Sequence, residues 1–372
     1  MTLNEQTQHL LALSLIPKLG PVTARNLISW CGGVTAVFNA ARTKLLGVPG
    51  IGHSIVNQLS NTSWLKKAEA ILKQCEVLDI QIFSFLDPAF PDMLKSLYDA
   101  PLLVYQRGAG MVNAQPAIAI VGTRKATDYG KQTASEFAAY FAERGINVVS
   151  GLAYGIDYAA HKACLAAGGQ TTAVLAHGLE SIYPGSHTAK AMEILKSGNW
   201  ISEYPPGSKI DPGNFPARNR IIAGLSRATL IIEASQKGGA LITGRFAFDQ
   251  NREVYAVPGR LQDSYARGCN ALIRDQIAKL VTSPEEILID LGLDDRSVSS
   301  QCKQLELELP GLNLPHSEEE QKVLTFLNRG EALVDSISIQ TRIPPQRLNP
   351  LLLAMEFRGL VRQMPGKKFR RL

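Results

Sequence analysis

The stretch from 116 to 151 constrains the fold more than any other part of this sequence. An apolar run at 118–121 ends in Gly122 and is followed by a polar turn. A helix-like segment at 128–144 and a strand-like segment at 146–151 come next. This order is typical of a parallel βαβ unit. The strand tips and helix N-termini of such units meet at one edge, where unpaired N–H groups and helix dipoles favour a bound phosphate.

Strand-like and helix-like segments then alternate as far as residue 281. The candidate strands are 118–122, 147–151, 171–176, 200–204, 229–234 and 253–257. The candidate helices are 128–144, 156–167, 187–197, 218–225, 239–251 and 268–277. This alternation predicts an α/β fold, an extended Rossmann-like sheet with helices on both faces and a ligand edge at the strand carboxyl ends. Strand-like segments between 80 and 108 are expected to extend the same sheet.

The composition limits the class of protein. A chain of 372 residues with 45% hydrophobic content is expected to form two or three packed domains. A net charge of +6 allows a polyanionic partner. The cysteines are far apart and form no C-x-x-C pair, so we expect no metal site, no disulfide framework and a reducing, cytoplasmic location. The N-terminal residues do not have the pattern of a signal peptide, and no apolar run is long enough to span a bilayer, so we expect neither a leader nor membrane association.

The turn after the first strand differs from a dinucleotide-binding loop. It has one glycine, Gly122, where G-x-G-x-x-G needs three, so a pyrophosphate could not approach the backbone as closely. Thr123 is followed instead by two cations, Arg124 and Lys125. An arginine offers a planar fork to phosphate and a flat face to a base. The alternative is that Arg124 caps a neighbouring strand or pairs with a carboxylate.

Two further glycine loops follow strands of the same sheet. Ser150 and Gly151 end the second strand and could form another anion-binding nest. Lys237 and Gly238 follow the fifth strand and lead into a helix, with the lysine as the cation of that loop. Both loops are expected at the ligand edge.

Asp157 and His161 lie one helical turn apart just after the loop at Ser150 and Gly151. We interpret Asp157 as the N-cap of the helix, with His161 on the same face. A catalytic Asp–His pair is the alternative, but the sequence has no serine nucleophile elbow beside it.

The segment 215–220 carries the densest set of polar residues. Its candidate binding residues are Phe215, Arg218, Asn219 and Arg220. An aromatic ring can stack on a base, arginines can bind phosphate, and an asparagine can both donate and accept hydrogen bonds. The alternative places the ring in the core and pairs the arginines with acidic neighbours such as Glu203 and Glu233.

Together these motifs resemble the DprA family, also called Smf, of bacterial DNA-processing proteins. The resemblance is carried by V-G-T-R at 121–124, S-G-L-A at 150–153, F-P-A-R-N-R-I-I-A-G-L-S at 215–226 and G-C-N-A-L-I at 268–273. These segments cover the central domain in order. The chain departs from the family pattern at Gly238-Gly239 and at Gly244.

The resemblance implies sequence-independent binding of single-stranded DNA, without enzymatic turnover and without a cofactor. It also implies a homodimer formed through the Rossmann-like domain, protection of incoming DNA, and loading of the RecA recombinase during natural transformation. The DNA-binding residues that we predict at the ligand edge are Gly122, Thr123, Arg124, Lys125, Ser150, Gly151, Phe215, Arg218, Asn219, Arg220, Lys237 and Gly238.

Two smaller segments are expected beside the Rossmann-like domain at 79–282. Residues 1–78 look helical, and their two glycine turns resemble the helix-hairpin-helix repeats of SAM-like domains, or else are ordinary helix caps. Residues 283–316 are rich in acidic side chains and are predicted to be a linker. Residues 317–372 resemble a winged-helix domain with a cationic C-terminal hairpin.

Two other functions are alternatives to single-strand binding. A nucleotide hydrolase of the lysine-decarboxylase-like Rossmann group is expected to carry Pro-Gly-Gly-x-Gly-Thr-x-x-Glu, but the loop at 237–243 lacks the proline and the glutamate. A duplex-binding regulator would act through the winged helix.

Overall fold

A computed structural model describes the chain over residues 3–110, 112–293, 317–328, 330–364 and 368–371. The chain divides into two compact units, Met1–Asp294 and Asp295–Leu372. Each unit has its own hydrophobic core. Within the described ranges, no helix is both long enough and apolar enough to cross a membrane.

The larger unit begins with a set of short helices. They are α1 (Leu3–Ser14), α2 (Pro21–Cys31), α3 (Val34–Asn39), α4 (Arg42–Leu46), α5 (His53–Leu59) and α6 (Ser63–Val77). The two predicted glycine turns precede α2 and α5, whose N-caps are Gly20 and Gly52. The core of these helices continues into the sheet through Leu103 and Trp200. The N-terminal helices and the sheet therefore share one hydrophobic core across the predicted domain boundary at residue 78.

A sheet of nine strands forms the centre of the unit. The strands are β1 (Gln81–Ser84), β2 (Leu103–Arg107), β3 (Ala117–Gly122), β4 (Asn147–Ser150), β5 (Thr171–Leu175), β6 (Asn199–Ser202), β7 (Ala228–Ile232), β8 (Glu253–Ala256) and β9 (Lys279–Leu280). Their order is β1-β2-β6-β5-β4-β3-β7-β8-β9. The ladders from β6 to β9 are parallel, whereas β1 and β2 extend the edge in antiparallel fashion. The predicted Rossmann-like sheet and its extension are confirmed.

Helices cover both faces of this sheet. They are α7 (Asp92–Lys95), α8 (Asp128–Glu143), α9 (Ile156–Ala166), α10 (Thr188–Ser197), α11 (Asn214–Gly224), α12 (Gly239–Asp249), α13 (Arg267–Arg274) and α14 (Pro284–Asp290). Successive side chains of a strand point to opposite faces. Accordingly, Ile118 and Ile120 of β3 belong to the core under α8 and α9, while Ala119 and Val121 belong to the core under α11 and α12.

Two helices differ from the prediction. Helix α11 begins at Asn214 rather than at 218, because proline is tolerated in the first turn of a helix and Pro216 therefore does not delay its start. Helix α14 occupies the beginning of the predicted linker. Its Ile287 and Leu288 are fully buried in the core under α8 and α9. Two of its acidic residues, Glu285 and Glu286, lie in the first turn, where they favour helix formation. The predicted linker start at 283 is therefore wrong, and the rest of that segment lies outside the described residues.

The smaller unit has the predicted winged-helix architecture. Its elements are α15 (Glu318–Leu327), β10 (Ala332–Leu333), α16 (Val334–Thr341), α17 (Pro345–Phe357), β11 (Val361–Met364) and β12 (Lys368–Arg371). The strands form an antiparallel sheet in the order β10-β12-β11. Ser317 and Glu320 form the capping box at the start of α15. The core contains Val323, Leu352 and Phe369.

Candidate nucleic-acid interface

A cleft of about 540 Å³ opens at the carboxyl ends of β3 and β7. The chain leaves β3 toward β4 on one side and later returns to β7 on the other, so this is the switch point of the sheet, where open α/β folds bind ligands. The predicted residues that line the cleft are Gly122, Thr123, Arg124, Phe215, Arg218, Asn219 and Gly238. The structure thus brings together residues from the turn after β3, from helix α11 and from the loop before α12.

Gly122 allows the tips of β3 and β7 to pack closely. A Cβ atom at this position would lie 2.1 Å from the carbonyl oxygen of Ile232 and 2.4 Å from Cγ1 of Ile156. The backbone N–H of Thr123 donates to the carbonyl oxygen of Glu233 at 2.8 Å. The following turn therefore leaves the sheet in a fixed direction, with the exposed Arg124 at the mouth of the cleft.

Phe215 is the aromatic centre of the cleft. The guanidinium carbon of Arg124 lies 5.7 Å from the centre of its ring, and that of Arg218 lies 6.0 Å away. The ring of Tyr183 lies 5.7 Å from the same ring, and 47% of this tyrosine is exposed. Tyr183 was not among the residues predicted for this site. Its position after a strand of the sheet is a signal that could have indicated a stacking role. Two rings and two cations next to each other suit a base flanked by phosphates.

Arg218 forms part of the floor of the cleft. Only 5% of this residue is exposed. Its guanidinium donates to the carbonyl oxygen of Gly151 at 2.9 Å and to that of Val174. Burial lowers the pKa of Arg218 to about 10, with Asp157 opposing the shift. Arg218 is therefore still a cation at neutral pH, and it holds the loop after β4 while it adds positive charge below Phe215.

The polar groups of the loop after β4 form hydrogen bonds within the protein. This corrects the prediction that the loop forms an anion-binding nest. The hydroxyl of Ser150 donates to the carbonyl oxygen of Ile120 at 2.6 Å. The carboxylate of Asp157 accepts the N–H of Gly151 at 3.1 Å and that of Ala153 at 3.4 Å. In this structure, Asp157 thus occupies the place that we had assigned to a phosphate.

Asp157 is also not the N-cap that we predicted. The N-cap of α9 is Gly155, whose φ of +79° is in a region that favours glycine, and Asp157 lies inside the helix and reaches back to the loop. Burial raises the pKa of Asp157, while Arg218 opposes the increase.

His161 has a structural role in the core. Its Nδ1–H donates to Oγ1 of Thr171 at 2.7 Å, because the hydroxyl of Thr171 itself donates to the carbonyl oxygen of Val148. Burial lowers the pKa of His161 to about 3, so the ring is neutral at physiological pH. Its Nε2 has no hydrogen-bond partner among the described residues. His161 and Asp157 bond to different groups, which favours the structural interpretation over a catalytic pair.

Arg220 is directed away from the cleft, as in the alternative interpretation of its segment. Its Nη2 lies 2.6 and 2.5 Å from the two carboxylate oxygens of Glu203, and its Nε lies 3.4 Å from Asp99. Only 8% of Arg220 is exposed. Burial raises the pKa of Glu203, while the ion pair with Arg220 opposes the increase.

Glu233, the other acid that we considered as an arginine partner, binds Thr127 instead. Its carboxylate accepts the backbone N–H of Thr127 at 2.9 Å and also its hydroxyl. This contact ties the end of β7 to the start of α8.

The remaining predicted residues lie on exposed loops, on α11 or at the N-terminus of α12. Lys125 and Lys237 are both exposed. Gly238 is the N-cap of α12, and Asn219 donates to the carbonyl oxygen of Gly239 at 3.5 Å. The positive end of the helix dipole therefore faces the cleft and favours an anion there. Among the residues that the structure describes, no group of three or more His, Cys, Asp or Glu could hold a metal ion.

The fold and the cleft define a class of Rossmann-like proteins with a cationic, aromatic site at the carboxyl edge of the sheet. The family model for DNA recombination-mediator protein A matches residues 81–292, and that for the DprA winged helix domain matches residues 309–367. The chain belongs to the DNA recombination-mediator protein A family.

Individual relatives agree with this assignment. The chain is 32% identical to Protein Smf from Synechocystis sp., over 99% of each chain. The crystal structure of DNA processing protein A from Streptococcus pneumoniae is similar with a TM-score of 0.63 and 31% identity, over 78% of this chain and 98% of that one. DNA processing protein A from Helicobacter pylori, described as having a unique single-stranded DNA binding mode, has a TM-score of 0.52 and 28% identity, over 57% of this chain and 95% of that one.

Proposed function

We propose that this chain is a DNA-processing protein that binds single-stranded DNA, without sequence preference, in the cleft between β3 and β7. The observation that carries the proposal is the placement of Arg124 and Arg218 on the same aromatic ring, that of Phe215, at the switch point of the sheet. Stacking on an aromatic ring accepts every base, and the cations attract the phosphates on either side of it.

The proposed contacts divide by chemistry. Arg124, Lys125 and Lys237 bind phosphates from the exposed rim, together with the N-terminus of α12. Phe215 stacks on a base, and Asn219 forms hydrogen bonds to the DNA strand beside that base.

Three predicted contacts are left out because their groups are engaged inside the protein. Arg220 is paired with Glu203, and the loop at Ser150 and Gly151 is bonded internally. Arg218 is kept as a buried source of positive charge beneath the strand.

Family membership supports a role for this binding in recombination. We propose that the protein protects incoming DNA, transfers it to the RecA recombinase during natural transformation, and acts as a homodimer through the Rossmann-like domain. The Helicobacter pylori relative, with its single-stranded DNA binding mode, supports the choice of substrate. In this proposal the protein binds and delivers DNA without chemical turnover.

The test is fluorescence anisotropy with a labelled oligo-dT strand and its matched duplex at two salt concentrations. We expect the wild type to prefer the single strand and to bind less tightly at higher salt. Arg124→Ala is expected to lower the affinity about tenfold or more and to reduce the slope of log K against log salt by about 0.7, the share of one phosphate contact on a single strand.

Arg274→Ala is the matched control, since Arg274 is an exposed arginine that pairs with Asp275 and does not line the cleft. It is expected to bind like the wild type. Equal affinity for strand and duplex, or unchanged binding by Arg124→Ala, would contradict the proposal.

A further inference from the structure

A second cavity, of about 950 Å³, lies at the same edge of the sheet but on its other face. Its walls include Tyr129 at the start of α8 and Val257 after β8, and Val257 belongs to the core under α8 and α9. The first cleft is lined by Ile222 and Ala240, which belong to the core under α11 and α12. The two cavities therefore lie on either side of the tips of β3 and β7.

The boundary between the two cavities is short. Glu233 lines the second cavity, and the next residue, Ala234, lines the first cleft. The backbone hydrogen bond from Thr123 to Glu233 joins the ends of β3 and β7 at the boundary between the two cavities. A dinucleotide bound at a switch point crosses the strand tips in this manner. A DNA strand that leaves the first cleft across this boundary would enter the second cavity.

The chemistry of the second cavity differs from that of the cleft. Tyr129 is 61% exposed and offers a free aromatic face. The charged residues that line the cavity are the two acids Glu233 and Asp263 and one cation, Arg260. This balance does not favour phosphate. Carboxylate oxygens do accept hydrogen bonds from the amino groups of bases, as in contacts to N4 of cytosine.

Glu233 is held in position for such a contact. Each of its carboxylate oxygens accepts one hydrogen bond from Thr127, and each has a further lone pair available. Asp263 is exposed on the loop before α13. The cavity thus combines a stacking surface with hydrogen-bond acceptors, which is the requirement of a base that carries an amino group.

We propose that the second cavity is a further nucleotide subsite, in which a base of the same single strand stacks on Tyr129 and donates its amino hydrogens to Glu233 and Asp263. The inference rests on the proposed function, since the strand reaches this subsite from the first cleft. It predicts a preference for cytosine over thymine at this subsite alone, because thymine presents a carbonyl oxygen where cytosine presents an amino group. The first cleft, in which any base can stack, keeps no such preference.

The test uses the full chain and labelled oligo-dT and oligo-dC strands of increasing length. Tyr129→Ala is expected to bind the shortest strands like the wild type, because these fill only the first cleft. It is expected to bind longer strands about fivefold or more weakly, the loss of one stacked base. Tyr98→Ala is the control, since Tyr98 is 82% exposed and lines neither cavity.

Asp263→Asn tests the acceptor role directly. The wild type is expected to bind long oligo-dC more tightly than long oligo-dT, and the variant is expected to reduce that ratio while circular dichroism shows an unchanged fold. Arg124→Ala should weaken binding at every length, which reports on the first cleft alone. The second subsite would be overturned if Tyr129→Ala had no effect and the two homopolymers bound equally well. If Arg124→Ala still weakened binding in that case, the proposed function would stand. A wild type that binds no single strand would overturn both.

Discussion

The guanidinium carbon of Arg124 lies 5.7 Å from the centre of the Phe215 ring, although the two residues are far apart in the chain. Arg124 extends from the turn after β3, and Phe215 lies in the first turn of α11. Their contact assembles a phosphate-binding group and a stacking surface at one point of the sheet edge.

Replacing Phe215 by leucine is expected to weaken single-strand binding without changing its salt dependence. Leucine keeps the apolar contact but removes the flat face, and loss of one stacked base is worth roughly 1–3 kcal/mol. The measurement is anisotropy with oligo-dT across a salt series. Phe248→Leu is the control, because Phe248 is a half-exposed aromatic on α12 that does not line the cleft. A change in the salt slope of Phe215→Leu would indicate that the ring acts on the phosphate contacts instead.

Replacing Arg220 by methionine is expected to destabilise the larger unit. The change leaves the partly buried Glu203 without its cation. Breaking a fully buried ion pair from one side costs about 3–5 kcal/mol, and this partly exposed pair is expected to cost less. The free energy of unfolding is measured in urea by tryptophan fluorescence. Trp30, Trp64 and Trp200, the 3 tryptophans of the chain, all lie in this unit.

The double variant Arg220→Met/Glu203→Leu provides the control for that experiment. Because it removes both charges, it is expected to recover most of the lost stability. If Arg220→Met unfolds like the wild type but has lost affinity for DNA, Arg220 belongs to the binding site after all.

Replacing His161 by leucine is expected to make stability less dependent on pH between pH 7 and pH 5. The pKa of His161 is lowered to about 3 in the folded protein, against an ordinary value of 6.5. The unfolded chain therefore binds the extra proton as the pH falls below 6.5, and the native state loses up to about 1.4 kcal/mol per pH unit. The contribution is fully present above pH 6.5 and decreases toward pH 3.

The comparison of urea unfolding at the two pH values isolates His161 from other buried groups. The raised pKa values of Asp157 and Glu203 act in the opposite sense, since they favour the folded state at low pH and lose that effect as the pH rises. These carboxyl groups are present in both proteins, so their effect cancels in the comparison. Identical pH dependence in wild type and variant would show that His161 is not buried as a neutral ring.

The sheet and most of its helices are predictable from the sequence because apolar periodicity is a local property. The predicted strands at 118–122 and 171–176 agree with β3 and β5 to within one residue at each end. The prediction failed at α14, where the many acidic side chains hid the apolar pair Ile287 and Leu288. Burial of that pair depends on a sheet face that only the folded chain provides.

The sequence by itself determined the class of fold, the position of the glycine turns and the concentration of cations and aromatic residues at one edge. It placed Arg218 and Arg220 together among the candidate phosphate-binding residues. Only the tertiary structure decided that Arg218 reaches the loop at Gly151, whereas Arg220 reaches Glu203. The physical reason is that partners distant in sequence, brought near by the sheet, determine whether an arginine is paired inside the protein or is directed toward a ligand.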